Sequence, residues 1–131
     1  ILLSGQQLTE AEKSIEKVLT ISPGNYPASI IKSKILSGKK EIIKAEEVLR
    51  DLLIKKTRDP GLWMQLSEGQ RAGKNIVGYH LSRGEYYLLI GDFENALNQF
   101  QFALRLSENS FQTSETIMTK IKFAQERLGN R

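Results

Sequence analysis

Apolar residues return at intervals of three and four along most of the chain: Ile15, Val18 and Leu19; Val48, Leu49 and Leu52; Trp63 and Leu66; Leu97, Phe100 and Leu104. That interval places side chains on one side of an α-helix, and the stripes are expected to be core seams. No segment sustains the two-residue alternation of a half-buried strand, so no strands are expected. The pattern predicts helices near 9–21, 26–37, 41–56, 61–73, 76–90, 93–107 and 114–128, the last built on Ile117, Ile121, Ala124 and Leu128. Ile1-Leu2-Leu3-Ser4-Gly5 reads as the tail of a further helix whose beginning is missing, and a first residue other than Met suggests a piece of a longer chain.

The polar residues between the stripes punctuate the same helices. Thr9 with Glu12 has the form of a capping box, in which each side chain satisfies a backbone N–H at the helix start. Asp59 before Pro60 and Asp92 after Gly91 supply N-cap carboxylates, the first followed by a proline at the first helical position. Gly5, Gly38, Gly73 and Gly91 fall where helices are expected to end, and Pro23 and Pro60 stop or start helices.

The helices also repeat. Thr9–Leu19 aligns with Ile43–Leu53: Ala11 and Ala45 lie 34 residues apart, as do Ile15 and Leu49, Val18 and Leu52, and Leu19 and Leu53. A further 34 reaches Tyr79, and half that step reaches Ala96, giving a common step of about 17 residues, one helix and one turn. In the segment Arg83–Leu104, Gly84, Tyr87, Gly91, Phe93, Ala96, Phe100 and Ala103 occupy the small and aromatic positions of a pattern that resembles the tetratricopeptide repeat. His80 and Arg83 depart from it, standing where large apolar residues are expected. The resemblance implies an all-α, right-handed superhelix of antiparallel helix pairs, about seven to eight helices; a length of 131 residues suits one domain, expected over residues 1–131. Small residues would permit close helix contact, and aromatic ones would fill the space between hairpins.

Asn25-Tyr26-Pro27, then Asp59–Glu68 with Trp63, then Glu85–Ala96 occur in an order that resembles the carboxy-terminal repeat region of BepA-type periplasmic zinc metalloproteases. That resemblance implies a periplasmic location and an upstream peptidase domain carrying an HExxH zinc site, which lies outside this sequence. It also implies that the repeat arm engages its own protease domain, regulating it, and outer-membrane assembly components or their substrates. The alternatives are a free-standing tetratricopeptide adaptor and a segment that completes an upstream active site with residues such as His80 or Arg71.

Composition narrows the chemistry. Hydrophobic residues at 40% and charged residues at 26% belong to a folded globular chain. No apolar run reaches the length of a membrane span, so no direct membrane insertion is expected. With no cysteine and one histidine, the chain lacks the ligand set of a thiolate or paired-histidine zinc site, and no metal or cofactor is expected in this segment. His80 is read as a packing residue or a satisfied polar group. There is no nucleophile elbow, and Gly38-Lys39 and Gly73-Lys74 lack the spacing of a phosphate loop and are read as helix-end turns. The carboxylates Glu10, Glu12, Glu46 and Glu47 are expected to point into solvent. No catalytic residue is expected.

A net charge of +4 with pI ≈ 9.4 gives a mild bias toward acidic partners. The rings of Tyr79, Tyr86, Tyr87, Phe93, Phe100 and Phe102 are read as repeat packing. No lysine or arginine is expected among them, so nucleic acid is not an expected partner. A protein partner is. The first helix of each hairpin in a stacked array lines its concave side, and on the helix over 61–73 the groove positions are Met64, Glu68 and Arg71 with Gln65 beside them.

Overall fold

The computed structural model describes residues 4–56, 58–107 and 110–129. They form seven α-helices and no strands: α1 (Gly5–Ile21), α2 (Tyr26–Gly38), α3 (Ile42–Lys55), α4 (Pro60–Ala72), α5 (Ile76–Leu89), α6 (Phe93–Leu106) and α7 (Phe111–Gly129). The all-α fold read from the apolar spacing is therefore the observed one, and most helix limits differ from those expected by a residue or two. The chain divides into two compact units, Ile1–Thr57 and Arg58–Arg131.

Helix starts follow local chemistry. Asn25, Asp59, Asn75 and Asp92 each accept a hydrogen bond from a backbone N–H of the first turn of α2, α4, α5 and α6. The start of α1 corrects the sequence reading. The capping box is Ser4 with Gln7, Ser4 Oγ accepting from the Gln7 N–H and Gln7 Oε1 from the Ser4 N–H. Thr9 lies one turn inside the helix, its hydroxyl donating to the Gly5 carbonyl, and Glu12 pairs with Lys39, the residue that follows α2. Ser4 and Gly5 thus open a helix rather than close one; Ile1–Leu3 lie outside the described residues.

Three helix ends share one device. At the ends of α2, α4 and α5 the N–H of Glu41, Asn75 and Asp92 donates to the carbonyl of Leu36, Gln70 and Tyr87, five residues back. The residue before each donor has positive φ: Lys40 at 65°, Lys74 at 62° and Gly91 at 80°. This is the Schellman arrangement, which caps the last carbonyls. The left-handed residues are spaced by 34 and 17, the same step as the apolar repeat. Gly38 and Gly73, read as helix-end glycines, stand two and one residues before the left-handed positions.

In the first unit α2 packs against both α1 and α3. Ala28, Ile35, Leu36, Ala45, Leu49 and Leu53 are buried, together with Leu8 of α1. In the second unit each helix packs on the next, from α4 through α7. Its interior contains Leu62 and Leu66 of α4, and a cluster of Ala96, Phe100, Ala103 and Ile117 with Leu81, Leu88 and Ile121 around it. Short turns between consecutive helices make each contact antiparallel.

Candidate partner-binding surfaces

Helix α1 leaves most of its apolar stripe uncovered. Leu8 is its one buried residue, Ile15 and Leu19 are half-buried, and Val18 and Ile21 are 39% and 86% exposed. The seam expected in the core over Ile15, Val18 and Leu19 is therefore not one. The physical reason is position: within its unit α1 is an edge helix, held on one side by α2. Across α2 from it, Val48 and Leu52 of α3 are half-buried rather than buried.

Between these two stripes lies a groove. One stretch holds about 370 Å³ of open space and is lined by Leu19 of α1, Tyr26, Ser29 and Lys32 of α2, Val48, Asp51, Leu52 and Lys55 of α3, and Pro23, Gly24 and Lys56 of the turns. A second stretch shares Lys32, Val48 and Asp51 with the first and adds Glu12, Glu16, Leu36, Glu41, Lys44 and Glu47. The groove thus runs from a carboxylate-rich end, beside the middle of α1 and the start of α3, to a lysine and tyrosine end near the close of α3. Several of its charges are already matched: Lys32 to Glu16 at 2.8 Å, Lys39 to Glu12 at 3.1 Å, and Lys44 to Glu41 at 3.6 Å. The Lys56 ammonium lies 5.1 Å from the Tyr26 ring centre, within the range of a cation–π contact. Of the carboxylates expected in solvent, Glu10 and Glu47 are exposed, whereas Glu12 and Glu46 are half-buried, Glu46 at 2.9 Å from Arg50.

In the second unit the sequence-derived groove residues of α4 divide. Glu68 and Arg71 are exposed and Gln65 is half-buried. Met64 turns toward α5, its sulfur 4.0 Å from Arg83 Nη1. Trp63 is half-buried. The repeat-type residues are mostly interior. Ala45, Gly84, Ala96, Phe100 and Ala103 are buried, Ala11, Tyr87 and Phe93 are half-buried, and Gly91 is exposed at its turn.

The aromatic region carries the cations that the sequence reading left out. Arg83 lies 5.5 Å from the Tyr79 ring centre and 5.6 Å from that of Tyr87, and donates to the Tyr87 hydroxyl at 2.9 Å. Arg105 lies 4.7 Å from the Phe102 ring centre. These guanidinium groups are held by the chain's own rings. His80 Nδ1 is 2.8 Å from Gln99 Oε1, and its ring stacks on Phe102 with centres 5.3 Å apart. Among the described residues no group of three or more Asp, Glu or His side chains converges to hold a metal ion, and no helix is long and apolar enough to cross a membrane.

Sequence reasoning missed the α1–α3 groove because it assigned both stripes to the core. The available signal was on α3, where Glu47, Asp51 and Lys55 recur every four residues beside Val48 and Leu52, giving that face a mixed character unlike a buried seam. No protein-family model matches the chain, and no curated protein is significantly similar to it.

Proposed function

We propose that this chain is a protein-binding scaffold of helical repeats, with the α1–α3 groove as its docking site. The observation that carries this reading is the groove itself: about 370 Å³ of open space against half-buried Leu19, Val48, Leu52 and Tyr26. Aliphatic and aromatic walls there meet charges of both signs. The reading assigns no chemistry to the segment itself; its role is to hold a partner in place.

The finer attribution is the repeat arm of a BepA-type periplasmic metalloprotease, and it rests on the residue order Asn25-Tyr26-Pro27, Asp59–Glu68 and Glu85–Ala96. Under it the partners are the protease domain and outer-membrane assembly components. Reading the gene upstream of Ile1 decides the matter: an HExxH helix behind an export signal supports the arm, and the lack of one removes it.

The scaffold reading is tested by photo-crosslinking in the native host. A β-carbon at Gly24, which lines the groove, meets no atom within 4 Å, so a photoreactive side chain can be started there without a clash at its root. The expected result is a discrete protein adduct from position 24 and none from Thr116, an exposed residue of α7. Adducts from position 68 alone would move the docking site to α4. No adduct from either position 24 or position 68 would overturn the reading.

A further inference from the structure

The charges left over in the groove are sorted along it. Glu12, Glu16 and Glu41 are matched by lysines, but Glu47 and Asp51 make no ion pair among the described residues. Nor do Lys55 and Lys56 at the end of the same helix; Lys56 instead lies over Tyr26. All four side chains are exposed, and all four line the groove. Lysines at a helix C-terminus complement the helix dipole wherever they occur. The acidic pair one to two turns earlier on the same face, with Val48 and Leu52 between, has Asp51 at the i,i+4 spacing of a helix-surface pair with Lys55, yet neither carboxylate lies within ion-pair distance of a lysine among the described residues.

The mean positions of the two pairs are about 10 Å apart along α3 at about 1.5 Å per residue, a distance an extended chain covers in about three residues. We infer that the groove takes an extended protein segment of polarised charge. A basic residue lies against Glu47 and Asp51, and an acidic residue about three positions away lies against Lys55 and Lys56. An aliphatic side chain between them enters the recess of Leu19, Val48 and Leu52. Complementary charge then fixes the register of the segment, while the aliphatic contact holds it. This inference rests on the scaffold reading and specifies its partner.

The test is fluorescence anisotropy on the full chain with labelled synthetic peptides of one composition. One peptide carries lysine, leucine and glutamate at the stated spacing; another carries them with the two charges adjacent and the leucine displaced. The first is expected to bind at least about tenfold more tightly, with affinity falling as salt rises through the range where the screening length drops below about 10 Å. Lys55→Glu with Lys56→Glu should abolish the preference, and a peptide whose glutamate is replaced by lysine should regain binding to that variant. Because the altered side chains are exposed, circular dichroism of the variant should match that of the parent. Equal binding of the two peptides, or no recovery with the charge-reversed peptide, overturns the inference. So does sedimentation showing that the chain self-associates and that the double variant is monomeric, since the occupant would then be a second copy. If the peptides fail while position 24 still crosslinks to a protein, this inference fails and the scaffold reading stands; if both fail, both are lost.

Discussion

A β-carbon at position 84 would stand 2.2 Å from an edge carbon of the Phe100 ring, so α5 and α6 approach as closely as they do because residue 84 has no side chain. Gly84→Ala is expected to destabilise the fold by about 1–3 kcal/mol, the cost of overpacking a filled interior. Phe100→Leu should recover part of that loss in the double variant, a coupling that urea titration measures directly. The left-handed residues give the opposite sign. Lys40 and Lys74 pay a steric cost that glycine does not, so Lys74→Gly should raise stability by about 0.5–1 kcal/mol, less than the full left-handed penalty because glycine also frees the unfolded chain. Gly91→Ala should lower it by about the same amount, and a urea midpoint unchanged in both variants would contradict this account of the turns. The role of Gly84 was legible in the sequence because its spacing from Tyr87, Ala96 and Phe100 is specific. The left-handed positions at 40 and 74 were not, since lysine carries no signal for that conformation.

Between elements, the step of 17 is a packing register. Leu49, Leu66, Phe100 and Ile117 are buried at equivalent points of α3, α4, α6 and α7, and Ala28, Ala45, Leu62 and Ala96 form a second buried series. Arg83 occupies the slot between Leu66 and Phe100, and the chain accommodates it by laying the guanidinium against Tyr79 and Tyr87 rather than burying it. The α4–α5 contact also has a polar centre, where the Ser82 hydroxyl donates to Gln70 Oε1 at 2.6 Å with both residues buried. Ser82→Ala is expected to cost about 1–3 kcal/mol, because it leaves a buried amide oxygen unmatched. Adding Gln70→Leu should then cost less than the sum of the two single changes, as thermal unfolding of the three variants would show. Helix existence and order were readable from apolar spacing. What spacing could not convey is which stripe meets a neighbour: α1 carries as regular a stripe as α6, yet only the α6 stripe is covered on both sides.

For the molecule as a whole, the consequence of an uncovered stripe is a surface. Apolar periodicity reports that a side chain can be buried, not what buries it, and so Leu19, Val48 and Leu52 read as core when they line a groove. The residues singled out on α4 from the repeat register are a mixed set, with Met64 turned toward α5 while Glu68 and Arg71 face solvent. The α1–α3 groove is the proposed working face of the protein. The most direct measurement is a backbone amide chemical-shift map of the full chain titrated with the charge-polarised peptide. The predicted result is a set of shifts concentrated on Leu19, Gly24, Ser29, Val48, Leu52 and Lys55, absent with the isomer of displaced charge. Shifts centred on Glu68 and Arg71 of α4, or on α7, with the groove silent, would contradict it.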